Sequence, residues 1–121
     1  MIFIDANIFI ERWTNPEAKK LIDNLNREEH FTSVLVLAEV YHKLRMKNVK
    51  SAMEYIKAIL GSITVFDFSQ QDLFNAIKNQ LDIHINDKIH IETMKRNNIN
   101  TILSFDLDFD KEKTITRITI P

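Results

Sequence analysis

The chain of 121 residues has no cysteine, a single glycine (Gly61) and only two prolines (Pro16 and Pro121). Without cysteine, disulfides and thiolate metal sites are both excluded, which suits a reducing cytosol. One glycine rules out a glycine-rich phosphate loop, and no Gly-x-Ser-x-Gly elbow is present. No apolar run approaches the ~20 residues of a membrane span. The opening Met1-Ile2-Phe3-Ile4 has no basic region before it and is broken by Asp5, unlike a signal peptide. Neither sign of charge dominates: 16 Lys and Arg face 17 Asp and Glu, a net charge of −1. Any contact with nucleic acid therefore rests on a local patch. The expected place is the cytoplasm, with no membrane association.

What is present is ordinary globular material. A hydrophobic fraction of 45% against 27% charged argues for a packed core and against disorder. No linker, repeat or low-complexity stretch divides the sequence, so residues 1–121 are expected to form one domain.

Apolar periodicity supplies the elements. Ile2-Phe3-Ile4 reads as a buried strand, and Pro16 opens a helix marked by Ala18, Leu21, Ile22 and Leu25. His30 to Thr32 is a short strand, after which Ser33 caps a helix over Val34 to Met46. A further helix covers Ser51 to Leu60, and Ile63 to Phe66 is a strand. Ser69 and Asp72 form a capping pair for a helix through Ile77. Asn86 to Arg96 is a helix whose buried face is Ile89, Ile91 and Met94. Thr101 to Phe105 and Thr114 to Ile120 are the last strands. Phe9, Trp13 and Leu60 are expected in the core, with a dimer face as their alternative. Strands alternating with helices predict an α/β fold, a central mainly parallel sheet with helices on both faces. In such sheets ligands bind beyond the carboxyl ends of the strands.

Acids gather at those ends. Asp5 closes the first strand, and Ser104-Phe105-Asp106-Leu107-Asp108-Phe109-Asp110 follows the fourth with three alternating aspartates. Two like charges ~4 Å apart at an effective dielectric near 20 repel by about 4 kcal/mol, so water or a cation must compensate. Asp87 opens a helix, as a cap or as a ligand. Glu39 sits within the apolar Val34–Val40 stretch, facing either solvent or a partner. Together Asp5, Glu39, Asp87 and Asp106, with Asp108 nearby, suggest a site for a hard cation, Mg2+ or Mn2+. Lys43, Arg45, Lys47 and Lys50 form the one basic patch, either a solvated helix end or a surface for a phosphate backbone.

Other metal and phosphate motifs fail. An EF-hand starting at Asp106 needs glycine where Lys111 stands and glutamate where Arg117 stands. The Asp-x-Asp of haloacid-dehalogenase-type phosphatases belongs after the first strand, not near the end of the chain. Glu39 and His42 give one Glu-x-x-His, where a di-iron bundle needs two and further glutamates. His30, His84 and His90 share no metal-ligand spacing with His42, which reads as a packing or RNA-facing residue, and no histidine is well placed as a general base.

In their order and spacing the acids make the chain resemble the PIN-domain nucleases, and among them the short VapC-like toxins. "IFIDANIFI" resembles the first motif, with Asp5 and its neighbour Asn7. "TSVLVLAEVYHKL" resembles the second, with Glu39. "INDKIHIETMKRNNINTILSFDLDFD" resembles the third and fourth, with Asp87, Asp106 and Asp108. The resemblance spans Met1 to about Ile118. It implies a PIN-like three-layer sandwich and an Mg2+- or Mn2+-dependent endoribonuclease, with one or two ions held by Asp5, Glu39, Asp87, Asp106 and Asp108. Asn7 and Ser104 would stand behind those ligands, and Lys43, Arg45, Lys47 and Lys50 would hold RNA. It further implies a homodimer and a protein antitoxin as partners. Where the family has small apolar residues after the third aspartate, this chain has Lys88 and His90. A non-catalytic RNA-binding or assembly module of this fold, and a phosphatase or flap-type nuclease, are the alternative readings.

Overall fold

The computed structural model describes residues 1–121. Its centre is a sheet of β1 (Ile2–Ile4), β2 (His30–Ser33), β3 (Thr64–Phe66), β4 (Thr101–Leu103) and β5 (Thr116–Ile118) in the order β3-β2-β1-β4-β5. Every neighbouring pair is parallel. Six helices connect or follow these strands: α1 (Ala6–Ile10), α2 (Pro16–Ile22), α3 (Val34–Met46), α4 (Ala52–Leu60), α5 (Gln70–Lys78) and α6 (Ile85–Arg96). The path moves one way from β1 to β3, then crosses back to β4. Right-handed crossovers therefore place α5 and α6 on the face opposite α1 to α4. The expected α/β class with helices on both faces is what the chain adopts.

Elements start where the sequence supplies caps. The Asn15 side chain accepts from the amides of Glu17 and Ala18 ahead of Pro16, and Ser33 Oγ accepts from Val36 N. Ser69 and Asp72 complete a reciprocal capping box on α5. Differences from the sequence expectation sit mostly at the ends. α2 stops at Ile22, short of Leu25, and the last strand is only Thr116–Ile118. Residues Ala6–Ile10, an unanticipated helix, form α1, which the Asp5 carboxylate caps through Ala6 N at 2.8 Å and which buries Ile8 and Phe9. A 3-10 turn over Glu11–Trp13 follows.

The core is one apolar cluster that joins Phe3 and Ile4 of β1 to Phe9, Val36, Val40, Ile91, Met94 and Ile102, all fully buried. Phe9 belongs there as expected. Trp13 and Leu60 do not: they are 44% and 47% exposed. Trp13 instead packs its edge against Tyr55 (centroids 4.8 Å apart), with the Arg12 guanidinium nearby. No helix is long and apolar enough to cross a membrane.

Candidate active site

β1 and β4 lie side by side, and at that point the strand order reverses, so their carboxyl ends open a crevice. Asp5 leaves the end of β1, and Asp106 follows β4. Asp87 is in the first turn of α6, and Glu39 projects from the middle of α3. All four carboxylates line one pocket of about 340 Å³, together with Asn7, His42 and Lys43. Sequence placed these acids on four separate segments, and folding brings them to one place.

Asp5 is the most enclosed. One carboxylate oxygen caps α1; the other accepts from Ser104 Oγ at 2.7 Å and from Asn7 Nδ2 at 3.4 Å. Asn7 Nδ2 also reaches Ser104 Oγ at 3.1 Å, and its Oδ1 accepts from Phe105 N. Ser104 Oγ in turn accepts from Asp106 N at 3.0 Å. Asn7 and Ser104 thus tie β1 to the β4 loop behind the acids. Asp106 Oδ1 accepts from Asp108 N and so caps the 3-10 helix Leu107–Lys111. Asp108 turns back toward Asp87 and Asp106, with possible ligand atoms of the three within 4.8 Å of one another. Lys111 Nζ stands 3.4 Å from Asp108.

Electrostatics mark the cluster. Burial pushes the Asp87 carboxyl up to about 7, helped by the charges of Asp5, Asp106 and Glu39 against the opposing pull of His90. Burial likewise raises Asp5, against His90 and the Ser104 bond. Burial and neighbouring negative charge thus hold Asp5 and Asp87 toward their protonated forms.

His90, to which the sequence assigns no role, stands beside the acids. It is fully buried, and its Nε2 lies 2.7 Å from Glu39 Oε1 and 3.9 Å from Asp5 Oδ1. Burial disfavours its charged form, but the Glu39 bond and the charges of Asp5, Glu39 and Asp87 outweigh that and raise its proton affinity. Spacing between histidines could not find it. The usable signal was its place one helical turn after Asp87, on the same face of α6.

The basic patch divides in two. Lys43 lines the acidic pocket, whereas Arg45 and Lys50 line a separate depression with Asn48 and Val49. Lys47 is the exposed C-cap of α3.

A family profile described as the PIN domain matches residues 2–113. The chain belongs to the PIN domain family. Among solved structures this PIN domain resembles Mycobacterium tuberculosis VapC20, described as a sarcin-ricin loop cleaving toxin. Identity is 20%, with 93% of this chain and 95% of that chain covered at a TM-score of 0.77. A toxin–antitoxin complex from Klebsiella pneumoniae matches at 15% identity and TM-score 0.74, covering 96% of each chain. VapBC2 from Rickettsia felis, bound to a DNA fragment from its promoter, matches at 18% and 0.71, covering 98% of each. At such identities the likeness is one of fold. No curated protein sequence matches this PIN domain.

Proposed function

We propose that this PIN domain is an Mg2+- or Mn2+-dependent endoribonuclease and the toxin of a toxin–antitoxin pair. One observation carries the reading: Asp5, Glu39, Asp87 and Asp106 reach a single pocket from four segments. A donor set of carboxylate oxygens suits a hard divalent ion. Asp5, Glu39, Asp87 and Asp106 would hold it, with Asp108 close to Asp87 and Asp106. When bound, such an ion acidifies a water and offsets the charge that builds on the leaving oxygen of a phosphodiester.

The protein's own groups do the rest. Ser104 and Asn7 fix the Asp5 carboxylate, so the ligand geometry is set before substrate arrives. Lys43, on the pocket wall, places a cation where a phosphate would enter. Beyond it, Arg45, Lys47 and Lys50 extend positive charge along the end of α3, enough to position an RNA backbone without reading its bases. Toxin–antitoxin complexes among the structures of this fold support a protein antitoxin as partner.

The test is cleavage of end-labelled cellular RNA by the pure protein with Mn2+, with Mg2+ and with EDTA. Cleavage is expected only with metal, and Asp5→Asn, which keeps the shape and removes the charge, should abolish it. Activity that survives EDTA or Asp5→Asn would overturn the metal mechanism. Tight metal binding with no RNA cut would favour a binding module of the same fold.

Replacing Lys47 and Lys50 with alanine should weaken RNA binding and flatten its salt dependence. Two lost contacts to a single strand lower the log–log slope by about 1.4. An unchanged slope would return these residues to the role of cations on a helix end.

A further inference from the structure

His90 is the one non-acidic group among the potential ligands. It follows Asp87 by one turn of α6, so both side chains leave the helix on the same face. Its ring packs beside Phe3, with centroids 5.9 Å apart, and has no exposure to solvent. Asp5, Asp87 and His90 offer three ligand atoms that all lie within 4.8 Å of one another. Nε2 stands 2.7 Å from Glu39 Oε1. A carboxylate oxygen only accepts, so in the metal-free protein Nε2 carries a hydrogen and donates it to Glu39. Nδ1 has no hydrogen-bond partner. A metal ion that displaces the Nε2 hydrogen would meet the lone pair at that nitrogen, with Asp5 and Asp87 beside it.

We infer that His90 supplies a nitrogen ligand to this centre and shifts its preference from Mg2+ toward first-row transition ions. Mg2+ holds oxygen ligands and water, whereas transition ions accept imidazole readily. The inference rests on the metal centre proposed above.

Mn2+ is the probe, because its unpaired electrons report a coordinated nitrogen directly in pulsed electron paramagnetic resonance. The Mn2+-loaded wild-type protein should show nitrogen coupling, and labelling its histidines with 15N should change that coupling to the 15N pattern. His90→Gln should lose the coupling, while His42→Gln, which alters the imidazole that lines the pocket, should keep it. Titration should show the preference for Mn2+ over Mg2+ falling by about tenfold or more in His90→Gln. Mn2+ bound without nitrogen coupling would overturn the inference and leave the metal centre standing. Equal weakening of both metals by His90→Gln would also overturn it, reducing His90 to a group that orients Glu39. Failure of the wild-type protein to bind Mn2+ would defeat both readings. Labelling together with His42→Gln needs no change at His90, so a folding defect in His90→Gln leaves the test intact.

Discussion

Asp87→Asn should make the metal-free protein more stable at pH 8 while abolishing RNA cleavage. In the folded chain burial and three neighbouring carboxylates push Asp87 up to about 7. Between its ordinary value and 7 the folded state holds a proton that the unfolded state has released. Stability therefore falls as pH rises through that window. His90 acts in the same direction: its raised proton affinity adds stability below its unfolded value near 6.5, which is lost as pH climbs through the folded one. Metal-free wild-type protein should thus melt at a lower temperature at pH 8 than at pH 5. Asparagine removes the repulsion but forfeits a favourable acid in the first turn of α6. The net gain should be about 2 kcal/mol at pH 8, or roughly 6 °C or more in Tm. Mn2+ should raise the wild-type Tm, and more so at higher pH, because its ligands must be deprotonated. Calorimetry across pH 5 to 8 checks this. A flat wild-type profile, with no gain from Asp87→Asn, would mean the carboxylates do not feel one another.

Asp72→Ala should cost about 3 kcal/mol of stability with no direct effect on the acidic pocket. Asp72 is buried at the start of α5, where it meets Arg96 of α6 through bonds of 2.9 to 3.1 Å and accepts from Ser69 N at 2.8 Å. Arg96 also reaches Asp67 O, so one guanidinium joins α6 to the loop that follows β3. Alanine leaves Arg96 without its buried partner and opens the capping box. Arg96 is partly exposed and can rehydrate, which keeps the loss below that of a fully enclosed pair. Burial raises the Asp72 carboxyl, but the Arg96 and Ser69 bonds outweigh this and hold it below its usual value. Its stabilisation is complete above the unfolded value near 3.9 and fades as pH falls through the folded one. Urea unfolding at pH 7 should show the full loss, and the difference between the two proteins should shrink as the pH falls below about 3.9. A loss under 1 kcal/mol at pH 7 would demote the pair to a simple cap.

Much of this arrangement was legible in the residues because the strand-end rule and helical spacing act locally. Asp5 after Ile2-Phe3-Ile4, and Asp106 after Thr101-Ile102-Leu103, had to emerge on one edge of a parallel sheet. Other features needed the third dimension. The apolar Ala6–Ile10 has the composition of strand, and its helix depends on the Asp5 cap and on burial of Ile8 and Phe9 against the rest of the core. His90 sits among Ile89, Ile91 and Met94, where an apolar residue fits, so its link to Glu39 across two elements was hidden. The capping box of Ser69 and Asp72 could be read, but the Arg96 partner 24 positions away could not. Trp13 and Leu60 misled because side-chain size says nothing about whether a neighbour covers it.

The bond between Asp5 and Ser104 spans 99 positions of the chain. β1, in the middle of the sheet, pairs with β4 across a similar distance. During synthesis the segment that carries Asp5 therefore leaves the ribosome long before its permanent neighbour exists. Such distant pairings slow folding, since a long loop must close before any contact rewards it. An incomplete polypeptide that lacks β4 therefore carries Asp5 without Ser104 and Asp106, and has no assembled cleft.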